Sequence, residues 1–214
     1  MKLQIALDEL TLDQAVGLVS RVREHIDIIE VGTPFIIAEG VHAVRALRRA
    51  FPEKKILADT KIMDAGEYEA RLAFDAGADY VTVLAVTDGR TVRACLGAAE
   101  EAGGAVVADM ICVEDNARKV AALEAMGVRH IAVHTGVDAQ AAGRTPLDDL
   151  REIRALTSGS EIFVAGGISS DTLPRYIDAG ADVVIVGGGI AHAPSPADEA
   201  RLLAGALHEG GAAR

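Results

Sequence analysis

Short apolar runs alternate along the chain with amphipathic segments, with a period of about 25 residues. The segments between the runs carry apolar residues at helical spacing, as in Leu12-Ala15-Val16-Val19 and Val92-Cys95-Leu96-Ala99. The runs themselves are rich in β-branched residues and lack internal proline, which predicts eight strands: Leu3–Leu7, Ile26–Val31, Ile56–Ala58, Tyr80–Leu84, Ala105–Ala108, His130–Val133, Ile162–Ala165 and Val183–Val186.

Strict alternation of strand and helix in short units requires a parallel sheet with helical crossovers. Eight units in 214 residues therefore predict an α/β fold, a compact (β/α)8 or TIM barrel. No linker or low-complexity tract divides the chain, so we expect a single domain over residues 1–214, with the last few residues forming a disordered tail.

Composition and charge exclude several classes of function. The chain has 21 basic and 32 acidic residues, a net charge of −11, and only 3% aromatic residues, which argues against nucleic-acid binding. Its apolar runs are too short to span a bilayer, and it enters a strand at once without a cleavable signal pattern. Cys95 and Cys112 form neither a metal-binding spacing nor a disulfide framework. These features predict a cytoplasmic protein that does not bind membranes.

Polar residues follow the predicted strands at their carboxyl ends, where enzymes with this fold carry their chemistry. Random placement of surface charge would scatter such residues to both ends of the barrel, so a functional rim is predicted. In chain order the strand ends give Asp8, Glu30, Asp59 with Lys61, Thr87 or Asp88, Asp109, His134, Gly166-Gly167 and Gly187-Gly188-Gly189.

The third strand end, Leu57-Ala-Asp-Thr-Lys-Ile-Met-Asp64, has an unusual cluster of charge. Asp59 and Lys61 share one side if the strand continues, and Asp64 then lies on the following loop or first helical turn. Such a cluster suits polarisation of a carbonyl and stabilisation of a negative charge. The alternative is a structural ion pair at a strand end, followed by a helix-capping aspartate.

The remaining rim residues predict a phosphate site and a metal site. Glycines at 166, 167, 188 and 189 let backbone N–H groups approach an anion, although they could simply turn tight loops. Glu30 and Asp59 offer oxygen ligands suited to Mg²⁺, and the competing interpretation is a metal-free carboxylate pair bridged by Lys61. His134 could transfer protons near neutral pH, or could be a polar plug at the barrel mouth.

These residues together resemble the orotidine monophosphate decarboxylase superfamily and, within it, the 3-hexulose-6-phosphate synthase family. The likeness runs from Met1 to about Leu207. It is carried by Asp8, Ile28-Ile-Glu-Val-Gly-Thr33, Ala58-Asp-x-Lys-x-x-Asp64, Asp109-Met-Ile-Cys112, Val133-His-Thr-Gly136, Ala165-Gly-Gly-Ile168 and Val186-Gly-Gly-Gly-Ile190.

The resemblance implies a Mg²⁺-dependent aldolase, in which Mn²⁺ could substitute, that adds formaldehyde to D-ribulose 5-phosphate and yields D-arabino-hex-3-ulose 6-phosphate. It implies that Lys61 stabilises an enediolate and that His134 transfers a proton. Asp8 and Asp109 would hold hydroxyls or orient the base and metal waters. It also implies a homodimer, in which Asp64 reaches into the partner subunit's site.

Three alternatives stay open. Orotidine monophosphate decarboxylase has a lysine where Glu30 stands and needs no metal. The pattern of 3-keto-L-gulonate 6-phosphate decarboxylase is closer, but has an arginine at the position of Val137 and a glutamate near Asp109. From another class, the chain could be a non-catalytic phosphosugar-binding protein, although binding alone does not need a lysine between two carboxylates.

Overall fold

Eight parallel strands close into a barrel in the order in which they occur along the chain, with β1 paired to β8. The computed structural model describes residues 1–212, apart from the side chains of residues 137, 211 and 212. The predicted carboxyl-terminal tail reaches residues 213–214, which lie outside the described part. The strands are β1 Lys2–Leu7, β2 Ile28–Val31, β3 Lys55–Ile62, β4 Tyr80–Leu84, β5 Ala105–Asp109, β6 His130–His134, β7 Glu161–Ala165 and β8 Val183–Val186.

Helices connect successive strands, which confirms the predicted TIM barrel. A 3₁₀ turn, Arg23–His25, precedes β2. The helices are α1 Leu12–Val22, α2 Thr33–Glu39, α3 His42–Ala50, α4 Gly66–Asp75, α5 Gly89–Ala102, α6 Asn116–Met126, α7 Val137–Ala141, α8 Leu147–Leu156, α9 Leu173–Asp178, α10 Gly188–Ala191 and α11 Pro196–Ala212. Among residues 1–212, no helix combines the length and the apolar character that crossing a bilayer requires.

Two separate apolar clusters hold the barrel together. The larger combines strand residues with helix residues and therefore lies between the sheet and its surrounding helices. The buried members of the smaller cluster all belong to strands, so this cluster fills the barrel interior: Ile28, Leu57, Val107, Ala132, Phe163 and Val183. Because side chains alternate along a strand, the residues two positions further on face the same interior. Four of these are Glu30, Asp59, Asp109 and His134, so the polar rim lies directly above the apolar filling.

The third strand extends beyond the predicted run Ile56–Ala58 and includes Asp59, Thr60 and Lys61. Pairing between β3 and β4 is regular at Ala58 with Val81, and resumes at Ile62 with Val83. Three residues of β3 therefore lie opposite Thr82 alone, which is a β-bulge with more than the usual single extra residue. Lys61 within it has a φ of 46°, in the left-handed region that a lysine seldom adopts.

Candidate active site

A chain of short polar contacts joins the carboxyl ends of β3, β5 and β6. Lys61 Nζ lies 2.7 Å from Asp59 Oδ2 and 3.2 Å from Asp109 Oδ2. His134 Nδ1 lies 3.0 Å from the same Asp109 oxygen. The structure thus brings four of the predicted site residues together in one connected array. We call Asp59, Lys61, Asp109 and His134 the charged array.

The ammonium of Lys61 is held in its charged form by its neighbours. Burial alone would lower its pKa, but the charges of Asp59 and Asp109 outweigh burial and raise the pKa above its usual range. The predicted metal-free alternative had Lys61 bridging Glu30 and Asp59. That detail is wrong, because the salt bridges of Lys61 are to Asp59 and Asp109.

Asp109 orients the imidazole of His134. Burial would raise the pKa of Asp109, but the hydrogen bond and charge of His134 and the nearby Lys61 ammonium lower it overall. An ionised carboxylate only accepts hydrogen bonds, so the Nδ1 of His134 carries the proton that it donates to Asp109. This arrangement leaves Nε2 as the nitrogen that can accept a proton from a substrate.

Glu30 lies in a crowded region of negative charge without an ion pair of its own among the described residues. Its side chain is buried, and Gln4 Nε2 donates a hydrogen bond of 2.6 Å to Glu30 Oε2. Burial, followed by the charge of Asp59, raises the pKa of Glu30 to about 8. Asp8 stands near the open barrel mouth, where partial burial and the charge of Asp59 raise its pKa as well. This excess of negative charge would be relieved by a bound cation.

The glycine-rich loops after β7 and β8 lie beside each other at the same end of the barrel. Gly166 and Gly167 adopt φ values of 128° and 65°, which other residues rarely tolerate. A Cβ atom at Gly189 would lie 2.7 Å from the carbonyl oxygen of Ile168, so the β8 loop packs directly against the β7 loop. Gly188 is the first residue of the short helix α10.

Other predicted rim residues lie outside the charged array. Asp64 lies in the loop between β3 and α4, where it is exposed and accepts a hydrogen bond of 2.8 Å from the backbone nitrogen of Ala65. Asp88 caps α5 by accepting from the backbone nitrogen of Arg90, and Thr87 donates to the carbonyl oxygen of Met63. The side chains of Thr87 and Asp88 therefore make local contacts at the loop and the helix start.

Three polar residues at the site were missed by the sequence predictions. Thr33 Oγ1 lies 2.8 Å from Asp59 Oδ2, Thr82 Oγ1 lies 2.7 Å from Asp59 Oδ1, and Gln4 supports Glu30. Gln4 and Thr82 each interrupt an otherwise apolar, buried strand. That interruption is the signal in the sequence that could have identified them.

Comparisons with known proteins agree with the geometry. A sequence model described as the orotidine 5'-phosphate decarboxylase / HUMPS family matches residues 1–203. The chain is 42% identical to 3-hexulose-6-phosphate synthase of Staphylococcus epidermidis over 97% of this chain and 99% of that protein.

Solved structures show the same relationship. The crystal structure of 3-hexulose-6-phosphate synthase from Salmonella typhimurium superposes with a TM-score of 0.97 at 54% identity, covering 98% of this chain and all of that one. The crystal structure of 3-keto-L-gulonate-6-phosphate decarboxylase from Vibrio cholerae has a TM-score of 0.86 at 32% identity, covering 97% of each chain.

Proposed function

The chain belongs to the orotidine 5'-phosphate decarboxylase / HUMPS family, and on that premise we propose that it is a carbon–carbon lyase acting as a 3-hexulose-6-phosphate synthase. It joins formaldehyde and D-ribulose 5-phosphate to give D-arabino-hex-3-ulose 6-phosphate. The observation that carries the proposal is the charged array, in which one ammonium and one oriented imidazole meet at a buried aspartate. The identity to synthases of this name, 54% in one solved structure, sets the choice within the family.

The array suits an aldol addition through an enediolate. Removal of a proton from carbon 1 of ribulose 5-phosphate leaves one negative charge, which is shared between carbon 1 and the ketone oxygen of carbon 2. The Lys61 ammonium, held by Asp59 and Asp109, is a fixed positive charge that stabilises this anion. Carbon 1 then forms a bond to the carbon of formaldehyde, and the former aldehyde oxygen takes up a proton. His134, with Nε2 available, transfers protons at carbon 1 or to that oxygen.

The phosphate of the sugar is assigned to the loops after β7 and β8. Backbone N–H groups of Gly166, Gly167, Gly188 and Gly189 would contact it, because residues without side chains let an anion approach the backbone closely. Asp8, at the barrel mouth between the charged array and these loops, would accept hydrogen bonds from sugar hydroxyls.

The donor set fits a divalent cation, and Mg²⁺ is the ion we propose, with Mn²⁺ as a substitute. Glu30 and Asp59 would hold it, since both are oxygen ligands and the pKa of Glu30 is raised by burial and by the charge of Asp59, which a cation would offset. No group of three or more histidine, cysteine, aspartate or glutamate side chains in residues 1–212 forms a complete metal cage. Mg²⁺ keeps several waters, so two carboxylates are enough. When bound, such an ion polarises the ketone of the substrate.

We also propose a homodimer with shared active sites. Five of the large exposed apolar side chains belong to neighbouring units of the barrel around β3: Ile37, Met63, Tyr68, Leu72 and Val86, with exposed fractions of 80%, 54%, 68%, 43% and 39%. Exposed apolar surface of this kind marks an interaction site. Asp64 lies within this region and is exposed, which supports the proposal that it reaches a partner subunit's site.

Hybrid dimers test the shared site. Lys61→Ala and Asp64→Ala subunits, each inactive alone, should form a hybrid with about half of wild-type turnover, because a two-fold dimer then has one intact site. The measurement is the formaldehyde consumption of the hybrid, purified through two different tags. A hybrid of Lys61→Ala with Asp59→Ala is the control and should stay inactive, since those residues meet within one subunit. An inactive Lys61/Asp64 hybrid would place Asp64 in the site of its own subunit.

The second candidate function is decarboxylation of 3-keto-L-gulonate 6-phosphate. It is favoured by the likeness to the Vibrio cholerae decarboxylase and by the same array, since an enediolate also follows loss of carbon dioxide. The arginine that the decarboxylase pattern carries falls at position 137, whose side chain lies outside the described part of the structure. The decarboxylase pattern also has a glutamate near the position of Asp109. The aspartate in this chain favours the synthase.

The product identifies the proposed reaction directly. Incubation of the protein with Mg²⁺, ribulose 5-phosphate and ¹³C-labelled formaldehyde should give a labelled hydroxymethyl carbon bonded to carbon, visible by nuclear magnetic resonance. Formaldehyde that remains unchanged under these conditions would refute the synthase.

We propose a cytoplasmic location, consistent with two free cysteines among the described residues, one buried and one exposed.

A further inference from the structure

Thr82 is the one residue of β4 that faces the bulge of β3. Asp59, Thr60 and Lys61 all lie between the last regular pair, Ala58 with Val81, and the next, Ile62 with Val83. Regular backbone pairing cannot serve three residues opposite one. Hydrogen bonds of the Thr82 side chain and carbonyl oxygen therefore take the place of the missing backbone hydrogen bonds.

The hydroxyl of Thr82 joins the two members of the Asp59–Lys61 pair. Thr82 Oγ1 lies 2.7 Å from Asp59 Oδ1 and 2.8 Å from the backbone nitrogen of Lys61. An N–H group only donates and an ionised carboxylate only accepts, so the hydroxyl must accept from Lys61 and donate to Asp59. The direction of both hydrogen bonds is thereby fixed by chemistry.

The bulge needs this support at Lys61. The φ of 46° at Lys61 is unfavourable for a residue with a side chain and persists only where surrounding contacts enforce it. Thr82 is 5% exposed, so water has little access to replace its hydroxyl. Without that hydroxyl, the Lys61 N–H would lose its partner and one oxygen of Asp59 would lose a donor.

We infer that Thr82 is a positioning residue, which sets the distance and orientation between the Asp59 carboxylate and the Lys61 ammonium that stabilises the enediolate. This inference rests on the proposed function and deepens it. Thr33 also contacts Asp59, through Oδ2, but makes no backbone contact to Lys61 among the described hydrogen bonds. Thr82 alone of these two links both partners.

Three variants separate positioning from general stability. Thr82→Val keeps the shape of the side chain and removes the hydroxyl, while Thr82→Ser keeps the hydroxyl. Thr60→Val is the matched control, because the Thr60 hydroxyl donates to the Thr82 carbonyl oxygen at 3.0 Å in the same bulge but is hydrogen-bonded to neither Asp59 nor Lys61. Thermal unfolding of each variant confirms that the folded protein is being assayed.

The expected result is a fall in kcat without a comparable rise in KM. Thr82→Val should lose about 10²-fold in kcat, the scale for a misplacement of about an ångström in a catalytic group. Its KM for ribulose 5-phosphate, and the affinity measured by calorimetry, should stay close to wild type. Thr82→Ser and Thr60→Val should retain kcat within a few-fold of wild type. Exchange of the carbon 1 proton with solvent should fall in parallel in Thr82→Val.

Several results would overturn the inference. They are wild-type kcat in Thr82→Val, an equal loss in Thr60→Val, failure of Thr82→Ser to restore kcat, or a rise in KM alone. If Thr82→Val does not fold, Thr82→Ala, which also lacks the hydroxyl and cannot clash, is judged by the same criteria. A wild type that cannot add formaldehyde would refute the proposed function instead. The variants would then be compared in proton exchange or decarboxylation, whichever the wild type catalyses.

Discussion

Replacement of Lys61 by alanine should lower turnover by about 10²-fold or more, the scale for loss of one electrostatic stabiliser. Its ammonium, 2.7 Å from Asp59 and 3.2 Å from Asp109, is the fixed positive charge of the array. Ribulose 5-phosphate should still bind, because its phosphate is assigned to the loops after β7 and β8. The kcat of the full reaction and the rate of carbon 1 proton exchange with solvent, the latter measured without formaldehyde, should fall together, because both need the enediolate.

Lys55→Ala is the matched control for Lys61→Ala. Lys55 begins the same strand and pairs with Asp79 at 2.8 Å, so its loss removes an ammonium without touching the site. Its turnover should match wild type. If exchange survives at the wild-type rate in Lys61→Ala while carbon–carbon bond formation is lost, Lys61 acts on the aldehyde, and the role assigned to it is wrong.

Removal of divalent metal should abolish turnover, and added Mg²⁺ or Mn²⁺ should restore it, since both accept oxygen ligands in octahedral geometry. The physical reason is the group of carboxylates at Asp8, Glu30 and Asp59. Burial, followed by the charges of Asp59 and Asp8, raises the pKa of Glu30 to about 8, and Glu30 has no ion pair with Lys61. The measurement is activity after dialysis against chelator, followed by titration with each metal.

Glu30→Gln provides the companion variant for the metal experiment. The amide keeps the size of the side chain and its contact with Gln4, but it is a weaker ligand for a hard cation. Its Mg²⁺ titration midpoint should move to higher concentration. Full wild-type activity in excess chelator would contradict the assignment of Glu30 and Asp59 as metal ligands.

The sequence was sufficient to predict the barrel because its two periodicities are kept nearly everywhere. The strands β4 and β8 begin and end where the apolar runs do. The end of β3 could not be predicted from the sequence, because Asp59-Thr60-Lys61 breaks the apolar pattern while the strand continues through a bulge. That continuation depends on Thr82, which is distant in sequence.

The location of the site could also be predicted, since strand ends meet at one face of the barrel. The ion-pair partners of the residues within the site could not be predicted. Spacing alone did not show that Lys61 pairs with Asp109 rather than Glu30, because that choice is set by how the third and fifth strands lie in the closed sheet. The role that we propose for Asp64 involves a second subunit, so the pattern of a single chain does not reveal its contacts.

We propose that this site forms a carbon–carbon bond in preference to breaking one. The most direct test measures kcat/KM for formaldehyde with ribulose 5-phosphate beside kcat/KM for carbon dioxide release from 3-keto-L-gulonate 6-phosphate, with the same protein and Mg²⁺. We expect formaldehyde addition to be the faster reaction and decarboxylation to be a minor one. Faster decarboxylation, with little or no consumption of formaldehyde, would contradict it.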